Sequence, residues 1–137
     1  MNLDREYEKF RGGPTQAKSE RLHITINKSG VILINGNAYR KIGKPTGFYL
    51  YFHRKKDHIV LEPTNARLPE AFPVREALGA FKVYASPFCQ HFGIRIEGVW
   101  KFARPDISND GKLILDLSNI VKVSLPGRRG RGPAAKS

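Results

Sequence analysis

The sequence has one cysteine, few acidic groups and no long apolar run, and each shortage excludes something. Cys89 has no partner for an internal disulfide, so no disulfide framework holds the fold, and this usage agrees with a reducing compartment. Flanked by Phe88 and close to Phe92, it reads as a small buried hydrophobe rather than a nucleophile. No stretch reaches the roughly 18 apolar residues a membrane-spanning helix needs. The N-terminus is charged from Asp4 onward, unlike a signal peptide, so the reading is of a cytoplasmic protein.

Catalytic signatures are also missing. His23, His53, His58 and His91 show no metal-ligand spacing, and the carboxylates are scattered rather than paired on one element. There is no phosphate-cradling glycine motif. The expectation is a non-enzyme with no cofactor, no metal and no small-molecule substrate.

What the chain does have is positive charge, +12 over 137 residues, which fits one domain with tails. Residues 22–63 carry seven basic groups against two acidic, and residues 126–137 carry four against none. A polyanion, nucleic acid first, is the expected partner.

Leu3, Tyr7 and Phe10 form a helical stripe, and the Gly12-Gly13-Pro14 break follows, so residues 1–21 read as a short helix and linker. Residues 22–63 read as two strands turning at Ser29-Gly30, a helix through Ala38–Ile42, then a hairpin. Asn35 or Asn37 would cap that helix, and Gly43 would close it. Residues 64–78, with prolines at 69 and 73, read as an extended connector. The same order then returns over residues 79–125. Gly79 stands for Gly30, Val83 for Ile34, Phe88 for Tyr39 and Gly93 for Gly43, with a second hairpin closed through the Ser108–Gly111 turn. Residues 126–137 read as a disordered basic tail.

The expected fold is therefore mainly β: a small barrel of two related strand–helix–hairpin halves. Gly30, Ile32, Ile34, the helix Ala38–Gly43 and the ending His58–Pro63 resemble the SpoVT/AbrB-like superfamily of swapped-hairpin β-barrels. The tandem arrangement is similar to the MraZ family. The resemblance implies a DNA-binding transcriptional regulator. The family's Gly-Arg is Gly30-Val31 here and its helix arginine falls on Tyr39, so the cations come from other positions.

Those candidates are Lys28 in the first turn, Arg40, Lys41 and Lys44 at the helix end, Arg54, Lys55 and Lys56 in the second turn, and Arg128, Arg129 and Arg131 in the tail. Turn and helix-end cations along one rim would meet successive phosphates of duplex DNA, and the arginine–glycine tail would add contacts without sequence preference. Phe48, Leu50 and Phe52 point to one face as core. Tyr49 and Tyr51 point to the other, as a contact surface or a base-stacking platform. Two alternatives stay open: an RNA or single-strand binder, and a protein-interaction module using a sheet edge or the tyrosine face. A homo-oligomer is expected, because each half alone has little apolar surface with which to close a core.

Overall fold

The computed structural model describes residues 22–123. The expected N-terminal helix and the basic tail with Arg128, Arg129 and Arg131 lie outside the described residues.

Twelve elements follow in chain order: β1 (Ile24–Asn27), β2 (Val31–Asn35), α1 (Gly36–Lys41), β3 (Gly47–His53), β4 (His58–Thr64), β5 (Phe72–Ala77), β6 (Ala80–Tyr84), α2 (Ser86–Phe92), β7 (Val99–Phe102), β8 (Asp106–Ile107), β9 (Leu113–Asp116) and β10 (Ile120–Lys122). The described residues are mainly β, with ten antiparallel strands and two short helices.

Local chemistry explains the punctuation. The Asn27 side-chain oxygen accepts the N–H groups of Ser29 and Val31 at 3.0 and 2.9 Å, folding the chain back between β1 and β2. Asn35, rather than Asn37, caps α1; its side-chain oxygen accepts from Ala38 at 3.3 Å and from the His23 N–H at 3.0 Å, tying the helix start to the start of β1. Gly43 and Gly93 follow the two helices in left-handed conformation, as helix endings require. The Ser108–Gly111 turn joins β8 to β9, with Ser108 N–H donating to the Lys112 carbonyl at 2.8 Å.

Two expectations need correction. Residues 64–78 are more than a connector, because β5 runs through them and pairs with β6 from Val74↔Val83 to Ala77↔Ala80. It also meets β3 at Gly47↔Pro73 and Phe48↔Phe72. Pro73 sits where β5 passes from one neighbour to the other, a place where a strand tolerates a missing N–H. The second hairpin is not β7 with β9: β7 pairs with β1 and β10, while β9 pairs with β4 and β8. The local sequence fits a hairpin, but both edges of β7 are taken by β1 and β10.

The sheet runs β10-β7-β1-β2-β6-β5-β3-β4-β9-β8. The β1–β2 hairpin lies against β7 of the second half, and the β5–β6 hairpin against β3 of the first; β2 and β6 pair at the centre through five positions. Laid flat, β7 and β8 would stand roughly 38 Å apart, eight strand spacings, yet only Ala103, Arg104 and Pro105 join them, a reach of about 14 Å. The sheet therefore curls into a half-barrel. A hydrogen bond from Ala103 N–H to the Asn119 carbonyl, 3.0 Å, ties that link to the β9–β10 link.

The inner face is apolar by period-two alternation, broken in β1 where Thr25 is also buried. Ile24, Ile26, Ile32, Ile34, Phe48, Ile59, Leu61, Val83, Phe102, Leu113 and Leu115 are all fully buried. Ala38 and Ile42 of the first half, with Phe88 and Cys89 of α2, extend the core. Cys89 is buried, and burial pushes its thiol pKa up, as expected of a structural cysteine.

The β9–β10 link has a titratable clasp. The Asp116 carboxylate accepts from the Ser118 hydroxyl at 2.6 Å and the Ser118 N–H at 2.9 Å, and stands 3.7 Å from His58 Nε2. The Ser118 hydroxyl first, then its N–H and the nearby imidazole, hold the carboxyl below the usual range against a smaller desolvation effect. A depressed folded-state pKa stabilises the fold above the unfolded value, near 4, and that contribution is lost as pH falls through the folded value. Asp116→Asn is therefore expected to lower the thermal midpoint at pH 7, and to differ progressively less from the wild type below about pH 4. A stability gap constant down to pH 2 would refute the clasp.

Candidate functional site

Straight strands decide where the cations go. Arg40 and Lys41 occupy the last turn of α1 and Lys44 follows it with φ +54°, whereas Arg54, Lys55 and Lys56 occupy the β3–β4 turn. Between the two sets lies the whole of β3, seven residues and about 20 Å. The two sets lie at opposite ends of that strand.

A different group is brought together. Lys28 at the β1–β2 tip, Arg95 in the α2–β7 link and Arg54 line hollows that adjoin around Ile94–Ile96. Pairing of β1 with β7, Ile26↔Trp100 and Asn27↔Val99, carries the Lys28 turn to that link. The packing of α2 on β3 carries Arg54 there. Phe92 meets Phe52 at 5.3 Å and Phe88 at 5.0 Å between ring centroids. The Arg54 guanidinium lies over both Phe52 and Phe92, 5.4 and 5.9 Å from their centroids.

Arg95 is the residue that sequence reasoning missed, since "IRIE" alternates as a strand does, yet no strand forms there and the segment is a link. Its one legible signal is a position just after the helix-closing Gly93.

Three cations line the hollows against two carboxylates, a net positive charge. Among the described residues the ion pairs are His58–Asp116 and Lys112–Asp110, so none of Lys28, Arg54 and Arg95 is in an ion pair. Asp57 and Glu97 line the same hollows without pairing. Arg40 is held by the Asn37 side-chain oxygen.

The tyrosine face stands apart. Phe48 is buried and Leu50 and Phe52 pack on the core, as expected, while Tyr51 is 49% exposed. Its hydroxyl donates to Glu62 at 2.6 Å, and this bond is the main reason its pKa is raised. A tyrosine held by a carboxylate is poorly placed to receive a phosphate.

Among the described residues, no three His, Cys, Asp or Glu side chains gather as a metal site, and no helix is long and apolar enough to cross a membrane. No family model, curated protein or solved structure matches the chain.

Proposed function

We propose that the protein binds nucleic acid through its phosphates, on the side of the half-barrel where Lys28, Arg54 and Arg95 converge. One observation carries this: three cations from separate parts of the sequence line adjoining hollows, and none has a carboxylate partner among the described residues. Unpaired cations clustered in a concavity raise the local concentration of a polyanion and release its counterions on binding. Strand order supports the finer fold reading, an AbrB-like exchange of hairpins contained in one chain: β1–β2 lies on β7, and β5–β6 on β3. On that reading each hairpin has its exchange partner in cis, and the chain closes its core without a second copy.

The test is the salt slope. Changing Lys28, Arg54 and Arg95 together to glutamine should lower the slope of log K against log salt by about 2.7 on duplex DNA, or about 2.1 on a single strand. The matched change at Arg40, Lys41 and Lys44 should lower it by less than half as much. Fluorescence anisotropy at several salt concentrations reads both. If the wild type binds no duplex or single strand at low ionic strength, the reading is wrong, and a protein-interaction module takes its place.

A further inference from the structure

The cations lie in a groove, and the groove has aromatic walls. Three hollows of about 360, 380 and 380 Å³ follow one another around Ile94–Ile96. The first two share Lys28, and the last two share Arg95. Each is within the size range of small-ligand sites. The last hollow is lined by Trp100, Phe52 and Phe92, with the Arg54 guanidinium lying across both phenylalanine rings.

We infer that this groove takes a single strand, with its bases turned inward and its phosphates on the cationic rim. The inference rests on the phosphate-binding reading above and names the form of nucleic acid that the site selects. A duplex keeps its bases stacked on one another and is read by elements that project into its grooves. Here α2 is seven residues long and packed through Phe88 and Phe92 on the core, so it does not project as a groove-reading element. Phe52, Phe92 and Trp100 pack on the core but are only partly buried. With the Arg54 guanidinium they offer surface on which unpaired bases of any sequence can stack. The carboxylates fit the same orientation. Asp57 and Glu97, which line the same hollows, repel phosphates but can accept hydrogen bonds from base amino groups.

The chain supplies its own reporter, since Trp100 is its one tryptophan and lines the last hollow. The full chain is titrated with a single-stranded oligonucleotide of about ten residues, with the duplex of the same length, and with inorganic polyphosphate. The single strand is expected to quench Trp100 saturably and to bind at least about tenfold more tightly than the duplex at equal salt. Polyphosphate should bind in a salt-dependent way with no quenching. Arg54→Lys keeps the charge and the fold but loses the planar surface. It should weaken the single strand about threefold or more, and leave polyphosphate affinity and both salt slopes unchanged. Equal binding of duplex and single strand with Trp100 unaffected would overturn the inference and leave the phosphate-binding reading intact. Quenching by polyphosphate would also overturn it. Failure of every nucleic acid to bind would remove the phosphate-binding reading itself.

Discussion

Phe48→Ala is expected to destabilise the protein by about 3–5 kcal/mol, measured as a shift of the urea midpoint at constant slope. Phe48 is fully buried and stands on β3 opposite Pro63 of β4 and Phe72 of β5, where three strands meet. The removed ring would leave a cavity between paired backbones, which cannot collapse without breaking the ladder on one side. Against a typical total of about 5–15 kcal/mol, such a loss leaves little stability. Tyr51→Ala, on the opposite face of the same strand, is the control. It loses one exposed hydrogen bond to Glu62 and should cost about 1 kcal/mol or less. Equal effects at the two positions would mean that β3 does not present Phe48 to a packed interior.

That contrast was legible in advance, because period-two alternation identifies the inner face without any knowledge of partners. Asn35, Gly43, Gly93 and the Ser108–Gly111 turn were legible for a similar reason: each answers to chemistry within a few residues. β5 was hidden because its pattern includes Pro73, and because its turn to β6 is Leu78-Gly79, where Leu78 adopts φ +53°. A leucine in the left-handed region is uncommon and gives no turn signal. The exchange of β7 onto β1 was hidden more deeply. An apolar edge strand accepts any partner of matching face, and the choice is made by the curl of the whole sheet.

The site divides in the same way. Sequence gives the number of cations but not their neighbours, so it does not show that the length of β3 separates Arg40, Lys41 and Lys44 from the Arg54–Lys56 turn. Lys28 and Arg54 were named, but their meeting with Arg95 depends on β1–β7 pairing and on Phe92 packing against Phe52. Both contacts join residues far apart in the chain. A basic cluster built by long-range packing has no local signature.

Gly30 joins fold and site, and its replacement should affect both. Gly30 and Gly79 occupy matching hairpin turns, each at φ +80°. A side chain costs about 1–2 kcal/mol there from the left-handed backbone alone. At Gly79 nothing lies within 4 Å of an added Cβ, so Gly79→Ala should show that cost and little more. At Gly30 the new carbon would sit 2.9 Å from Ser86 Cα and 3.1 Å from its nitrogen, at the start of α2. Those backbone atoms cannot easily yield, because the Ala85 N–H donates to the Gly30 carbonyl at 2.9 Å and holds the tip against the helix. Overpacking of this kind adds about 1–3 kcal/mol, giving roughly 2–5 kcal/mol for Gly30→Ala. The strain falls on the hollow lined by Lys28, Gly30 and Ser86, so nucleic-acid affinity should drop even where the variant remains folded. Chemical denaturation and binding on the two variants, side by side, separate the effects. If Gly30→Ala and Gly79→Ala lose equal stability, the hairpin tip does not press on α2, and the groove beside it is not held in the shape described.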